Sequence, residues 1–195
     1  TSPVQVALHL TYANTSQVSA DCIPETRYDL DYVDMMDRCY WAFVRTFVPI
    51  STELVEASNH PIAADKIVTG KAWPGQAERS EMQASSGDQF TVFSQAFLLP
   101  TSSETKLRFI YQLPDDVINR DESDRHIYRL VLQKQAGVPA FPARVILRTP
   151  ENTIVSHMQP DTCLNDGTGL LSCQVDVDRD RVIEIHYEAL EEGQP

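Results

Sequence analysis

The chain has 195 residues, of which 42% are hydrophobic and 23% charged, and this is enough to bury a substantial core. Its formal net charge of -12 argues against nucleic acid as a partner, because nucleic-acid-binding surfaces are basic. No apolar run approaches the ~20 residues of a membrane helix, so we expect no membrane insertion of this segment. The N-terminal residues lack the charged and apolar regions of a signal peptide, and a strand pattern begins near residue 4. We therefore expect a mature or excised piece of a larger chain.

The first predicted strand covers residues 4–12, where apolar and polar residues alternate. Residues 15–38 are polar and acidic and predict a long loop with one helical turn. The next segment, residues 39–48, is rich in aromatic and β-branched residues and stops at Pro49. Because both of its faces are apolar, it predicts a central strand. Arg45 is the exception on one face, and we expect it to have a carboxylate partner or to mark where that face reaches solvent.

Short strand patterns separated by proline, glycine and acidic turns fill the rest of the chain. Residues 90–99 and 105–113 form the best hairpin-like pair, and the turn 178–180 joins two alternating strands. The predicted strands after Pro49 cover residues 51–57, 66–69, 78–84, 90–99, 105–113, 126–135, 143–148, 153–157, 170–177 and 181–189.

The count of about nine to eleven short strands, with almost no helical periodicity, predicts an all-β fold. Antiparallel strands with regular turn signals favour a two-layer β-sandwich, immunoglobulin-like or related. Neither a linker nor an internal repeat is visible in the sequence. We therefore predict a single β-sandwich domain over residues 1–195.

The four cysteines are an even number and show no zinc-site spacing. Cys163 and Cys173 flank a glycine-rich connection that can fold back and bring them together, which leaves Cys22 and Cys39 as the second pair. Four cysteines allow three pairings, and four free buried thiols are the alternative. Disulfides are the favoured reading, and they favour an extracytoplasmic location.

No motif for catalysis or cofactor binding stands out in the sequence. The nucleophile elbow, the phosphate-binding loop and the dinucleotide fingerprint are all missing. The histidines lie singly along predicted strands or turns, and a lone histidine is usually a surface or satisfied residue; they are His9, His60, His126, His157 and His186. We predict no catalytic residue, no cofactor and no metal, and therefore no enzyme.

Two weaker features point to ligand binding. Asp176, Asp178 and Asp180 alternate as calcium ligands do, but Arg181 and Tyr187 stand where a calcium loop needs glycine and glutamate, which favours a simple hairpin turn. Residues 161–166 are a second, weaker calcium candidate. Trp73 lies in a predicted loop, where an indole ring either stacks on a sugar or packs over a sheet edge.

Three segments and the strand at residues 39–48 together resemble a known family. The string Asp-Arg-Cys-Tyr-Trp-Ala-Phe-Val-Arg-Thr-Phe-Val-Pro, residues 37–49, is similar to a segment of large bacterial cell-envelope proteins of unknown function. Further marks of that family have counterparts here in residues 97–100, 109–114 and 128–137. The resemblance covers roughly residues 4–150, the C-terminal β-rich region of such membrane-anchored surface proteins, and leaves the segment from Cys163 to Cys173 unmatched. It implies a cell-surface setting and supplies no catalytic residues.

These observations predict a non-catalytic, extracytoplasmic structural or interaction module of a larger cell-envelope protein. Its expected partners are a protein, a cell-wall glycan or the remainder of its own chain, and its expected location is extracellular or in the cell envelope. The alternative is a carbohydrate-binding module, calcium-assisted or not, that uses Trp73 and acidic loops.

Overall fold

The computed structural model describes residues 4–19, 21–24, 31–123, 125–134, 136 and 139–190. Strands account for 56% of the chain and helices for 6%, which confirms the all-β prediction. The described residues form thirteen strands: β1 Gln5–Asn14, β2 Tyr40–Pro49, β3 Glu53–Ala57, β4 Glu78–Gln83, β5 Gln89–Leu99, β6 Ser103–Gln112, β7 Asn119–Arg120, β8 His126–Leu132, β9 Phe141–Arg148, β10 Thr153–Gln159, β11 Cys163–Asn165, β12 Leu170–Val177 and β13 Arg181–Ala189. A short helix, α1 (Tyr32–Met36), precedes β2, and 3-10 turns lie at Ala64–Lys66 and Asp115–Val117.

The chain divides into two compact units, Thr1–Asp115 (unit 1) and Asp116–Pro195 (unit 2). The boundary falls in the 3-10 turn Asp115–Val117, within a short acidic segment that has none of the length or composition of a flexible linker. The predicted fold has two layers and nine to eleven strands, whereas the described residues form four antiparallel sheets and thirteen strands. Folding as a single domain over residues 1–195 stays a prediction.

Unit 1 contains two three-stranded sheets, with strand orders β1-β6-β3 and β2-β5-β4. The middle strands β5 and β6 supply most of its core, and aromatic rings connect the two sheets. Phe93 of β5 lies 5.8 Å from Tyr111 of β6, and Phe97 of β5 lies 5.0 Å from Tyr12 of β1, measured between ring centroids. Phe93, Phe97 and Phe109 are almost fully buried. Unit 1 is therefore a small β-sandwich with an aromatic core.

Unit 2 also contains two sheets, with strand orders β10-β13-β8-β7 and β11-β12-β9. Alternate residues of β13 face inward and meet β11 and β12 in one apolar cluster. The cluster consists of Cys163, Leu171, Cys173, Ile183, Ile185 and Tyr187, with Val155 and Met158 of β10 packed against it. Unit 2 is therefore a second β-sandwich, and its core is mainly aliphatic.

The two units share one strand topology. In unit 1, β6 lies between β1 and β3, and β5 lies between β2 and β4. In unit 2, β13 lies between β8 and β10, and β12 lies between β9 and β11. Strands β8 to β13 thus repeat β1 to β6 in order, pairing and direction, and β7 is an addition at one edge. The chain contains an internal repeat that its sequence conceals.

The turn after the second strand of each unit repeats in atomic detail. Thr52 donates its hydroxyl to the carbonyl oxygen of Pro49 at 2.6 Å, and Thr153 donates to that of Pro150 at 2.7 Å. The residues before these threonines, Ser51 and Asn152, have positive φ angles of 69° and 57°. The turn after Pro100 has the same geometry, with a φ of 50° at Ser102 and a 2.6 Å bond from the Ser103 hydroxyl to the Pro100 carbonyl. The turn is therefore a recurring local motif of this chain, and the equivalence of the units rests on the strand pairing.

Both strand pairs that the sequence joins by tight turns run between sheets rather than within one. β5 pairs with β2 and β4, whereas β6 pairs with β1 and β3. Likewise, β12 pairs with β9 and β11, whereas β13 pairs with β8 and β10. The hairpin predictions for residues 90–113 and 170–189 are therefore wrong, although the strands themselves are present. Each turn carries the chain from the middle of one sheet to the middle of the facing sheet.

Strand β2 lies at the end of its sheet in the described structure, not at the centre as its two apolar faces predicted. Its inward face carries Val48, which is 5% exposed, while Phe43, Arg45 and Phe47 project from the opposite face. Arg45 is exposed, and its guanidinium carbon lies 5.3 Å from the centre of the Phe43 ring. The expectation that Arg45 marks where this face reaches solvent is confirmed.

Candidate functional site

The most chemically distinctive cluster is formed by His157, Glu184 and His186 on the outer face of β10 and β13. A β-bulge between Val155 and His157 shifts the strand by one residue. Because of the bulge, Val155 and Met158 both pack on the unit 2 core and His157 faces outward. The bulge also places His157 directly opposite His186. Glu184 shares the outer face because it lies two residues before His186 on β13.

The ligating atoms of this cluster all lie within 4.8 Å of one another. His186 Nε2 lies 2.8 Å from Glu184 Oε1, within hydrogen-bond distance. The rings of His157 and His186 meet edge to face, with centroids 5.0 Å apart. Glu184 and His186 are partly buried, with 27% and 17% of their side-chain surface exposed, whereas His157 is exposed. The site is therefore open to solvent on the His157 side.

A cation borders the cluster on the neighbouring strand. Arg129 of β8 pairs with Glu184 in the strand register, and its Nε lies 3.8 Å from Glu184 Oε2. Arg129 thus approaches one carboxylate oxygen while His186 approaches the other. The carboxylate is therefore contacted from two sides, by His186 at Oε1 and by Arg129 at Oε2.

The sequence does not predict this cluster, since His157 and His186 are isolated strand histidines in it and no metal site is expected. The separation of 29 positions between them carries no spacing signal. Only the pairing of β10 with β13 joins the residues, and only the bulge turns His157 outward. The sequence motif Glu-Ile-His in an alternating strand does place Glu184 and His186 on one face, and this was the one available signal.

At the equivalent place in unit 1 the chemistry differs. The register pairs Leu54 with Tyr111 and Val155 with Tyr187, so Glu56 corresponds to His157 and Arg108 to Glu184. A bulge follows this pair in both units. Arg108 contacts Glu56 at 3.0 Å, which makes a simple ion pair where unit 2 has its histidine–carboxylate cluster.

Both predicted disulfides are present, Cys22–Cys39 and Cys163–Cys173, and no cysteine is free. Cys163 and Cys173 lie opposite each other in the β11–β12 register, inside the unit 2 core. Cys39 is buried just before β2, where Asn14 donates a hydrogen bond to the carbonyl of its neighbour Arg38. Two disulfides are typical of a protein that folds in an oxidising, non-cytoplasmic compartment.

Trp73 is half buried within the loop between β3 and β4. Its backbone pairs with that of Ile62, which is 5% exposed, and its indole nitrogen is buried without a hydrogen-bond partner. The ring is therefore packed into its loop rather than standing free as a stacking platform. Sugar binding through Trp73 stays a prediction.

The acidic residues of the two calcium candidates make local contacts. Asp178 pairs with Arg181 at 2.7 Å, and Asp180 accepts a hydrogen bond from the amide of Lys134. Asp166 accepts hydrogen bonds from the amide and hydroxyl of Thr168. These bonds from Thr168 lower the pKa of the Asp166 carboxyl below its usual value. Asp178 and Asp166 thus stabilise their own turns, whereas Asp180 connects its turn to the segment after β8.

The outer face of β2 carries an exposed stripe of alternating aromatic and basic character. We name Phe43, Arg45 and Phe47 the β2 stripe; the two phenylalanines are 53% and 50% exposed. Phe47 also meets Phe90 of β5 edge to face at 6.2 Å. A shallow cleft of about 210 Å³ lies near the end of this sheet, lined by Ile50, Glu81, Met82, Gln83 and Gln89. This volume is below the roughly 300–1,000 Å³ typical of small-molecule sites.

No protein-family model, no curated protein and no solved structure matches this chain. Among the described residues, no helix has the length and apolar character needed to cross a membrane.

Proposed function

We propose that the chain is a non-catalytic interaction module of a larger extracytoplasmic cell-envelope protein. The observation that carries this proposal is the repetition of one β-sandwich topology in both units, each with its own disulfide. Sandwich units of this size are common in cell-surface proteins, where they present loops and sheet faces to partners. Disulfides add stability to small cores in oxidising compartments.

The β2 stripe is the surface to which we assign the interaction. Aromatic residues and arginine are enriched at the centres of protein interfaces, where they bury much area in well-packed, desolvated pockets. The partner we favour is a protein, either another envelope component or the remainder of the same chain. The stripe has no counterpart in unit 2, where Arg144, Ile146 and Arg148 of β9 occupy the equivalent positions.

The experiment compares binding of the oxidised chain to an envelope protein fraction and to purified cell-wall glycan. The double change Phe43→Ser and Phe47→Ser removes the apolar part of the stripe while leaving the buried face of β2 intact. Ile146→Ser is the matched control, because Ile146 lies on the equivalent strand of unit 2 and is 54% exposed. We expect the parent chain and the control to retain a protein partner and the double variant to lose it, with affinity falling at least about tenfold.

Three outcomes count against the proposal or against the surface assigned to it. Glycan binding that disappears on Trp73→Ala supports the carbohydrate-binding alternative. Turnover in a broad hydrolase screen contradicts the assignment as a non-enzyme. Equal protein binding by the parent chain, the double variant and the control would show that the β2 stripe is not the contact surface.

A further inference from the structure

We propose that His157, Glu184 and His186 form a zinc site that joins the edge strand β10 to β13. Two imidazoles and one carboxylate are a ligand set that zinc uses in proteins, with water or another ligand in the fourth position. Imidazole nitrogen disfavours calcium and magnesium, which prefer oxygen ligands. The site is independent of the interaction assigned to β2.

The distances fit this use after a small movement of one exposed side chain. Ligands bonded to zinc at about 2.0–2.1 Å in a tetrahedron lie about 3.4 Å from each other. His186 Nε2 and Glu184 Oε1 are already 2.8 Å apart, and every pair in the cluster lies within 4.8 Å. His157 is exposed, so its ring has room to rotate toward the other two. Zinc would replace the proton shared between His186 and Glu184, and that proton would leave to solvent or move to Nδ1.

The strand geometry supplies the rigidity that such a site needs. Glu184 and His186 lie on β13, which is held between β8 and β10, and their neighbours Ile183 and Ile185 are fully buried. The bulge that turns His157 outward is kept by the burial of Val155 and Met158 on either side. Two ligands therefore sit on a fixed strand, and the third sits on its edge neighbour.

The equivalent place in unit 1 already contains a bridge between strands. There Arg108 of β6 contacts Glu56 of β3, so a guanidinium supplies the positive charge that links the two strands. In unit 2 the corresponding residues, Glu184 and His157, are both electron-pair donors. A divalent cation would supply the missing positive charge and restore the bridge between β10 and β13.

Arg129 should weaken zinc binding, because it lies next to the other carboxylate oxygen of Glu184. Its Nε lies 3.8 Å from Glu184 Oε2, where it holds the carboxylate but also opposes the approach of another cation. We therefore expect Arg129→Gln to tighten zinc binding several-fold, because it removes a positive charge next to the metal.

The test is calorimetric titration of the oxidised full chain with zinc, followed by cobalt substitution to read the coordination geometry. We expect one zinc per chain, a tetrahedral cobalt spectrum, and a melting temperature that rises with the logarithm of free zinc. His157→Ala, His186→Ala and Glu184→Gln should each weaken binding at least about tenfold. His9→Ala is the control, because His9 is an exposed strand histidine of unit 1, and it should leave the affinity unchanged.

The NMR signals of the imidazole rings distinguish zinc binding at this site from zinc binding elsewhere on this acidic chain. Zinc should shift the ring signals of His157 and His186 and leave those of His9 and His60 in place. Unchanged affinity in the double variant His157→Ala with His186→Ala would overturn the proposal, as would the failure of the parent chain to bind zinc below millimolar concentration. Since His157 is exposed, its single variant is a test that does not depend on core packing.

Discussion

The two units have the same strand topology but fill their cores differently. The register aligns Phe93 with Leu171 and Phe109 with Ile185, so unit 2 has aliphatic residues where unit 1 has rings. In the same alignment Cys173 corresponds to Gln95. A disulfide cysteine in unit 2 therefore takes the position that a buried amide side chain has in unit 1. Smaller side chains supply less burial, and the disulfide offsets this by constraining the unfolded chain. One topology thus tolerates two means of stabilisation.

The outer faces diverge more than the cores do. β2 presents phenylalanine, arginine and phenylalanine, whereas its equivalent β9 presents arginine, isoleucine and arginine at the same three positions. The ion pair between Glu56 and Arg108 in unit 1 is likewise replaced in unit 2 by the cluster around Glu184. Inward positions are constrained by packing in both units, whereas outward positions are free to take different roles. The two proposals accordingly place the protein contact on unit 1 and the metal on unit 2.

The largest expected effect comes from removing the disulfide inside the unit 2 core. Replacing Cys163 and Cys173 by alanine should cost roughly 3–5 kcal/mol, because the change releases a ten-residue closure and opens a cavity in the core. The matched change of Cys22 and Cys39 should cost roughly 2–3 kcal/mol: its closure of 17 residues is longer, but Cys22 is only half buried, so the change leaves a smaller cavity. Urea unfolding, monitored through the methyl NMR signals of Leu171 and Ile183, measures the stability of unit 2.

Tryptophan fluorescence monitors the unfolding of unit 1 in the same experiment, because the only two tryptophans, Trp41 and Trp73, both lie in that unit. A tryptophan transition that stays in place while the unit 2 transition moves would show that the units unfold separately. A common shift of both transitions would instead support the single-domain prediction. Equal decreases in the free energy of unfolding for the two disulfide variants would show that the two cores do not depend differently on their disulfides.

An intermediate effect is expected at the repeated turn. Thr52 is fully buried, so Thr52→Val should cost about 1–2 kcal/mol by leaving the Pro49 carbonyl without its hydroxyl donor. Thr153 makes the same bond at a more exposed position, and water can replace the lost donor there. Thr153→Val should therefore cost about 0.5 kcal/mol. Chemical denaturation measures the free energy of unfolding of both variants. A larger decrease for Thr153→Val than for Thr52→Val would show that the two turns are not equivalent.

The smallest effect concerns acid sensitivity in the loop between β11 and β12. The hydrogen bonds from Thr168 lower the folded-state pKa of Asp166, so this carboxylate stabilises the loop at neutral pH. That contribution should be lost as the pH falls through the lowered pKa, below the usual aspartate value of about 3.9. The amide shift of Thr168 should follow this titration. Asp88 lies in the corresponding loop of unit 1 and accepts a side-chain hydrogen bond from Ser86. The variant Asp88→Asn is therefore the control, and it should leave the titration of the Thr168 amide signal unchanged.

Local sequence patterns predicted most strands but not how they pair. The strands 170–177 and 181–189 were placed at their observed bounds, because alternation and the acidic turn between them are local signals. The same signals indicated a hairpin, which is wrong, because a short turn is compatible with pairing in one sheet or with crossing between two. Likewise, apolar residues on both faces of β2 predicted a central strand, but the outer phenylalanines are exposed on an edge strand.

Local patterns are enough to predict the all-β class, the approximate strands and the favoured cysteine pairing, because each depends on alternation or on short separation along the chain. The two repeated units, the edge position of β2 and the cluster of His157, Glu184 and His186 follow instead from contacts between distant segments. Strand register is set by packing between distant segments, and a bulge of one residue moves a side chain from the core to the surface. The candidate site depends on that single shift in β10, which no local pattern encodes.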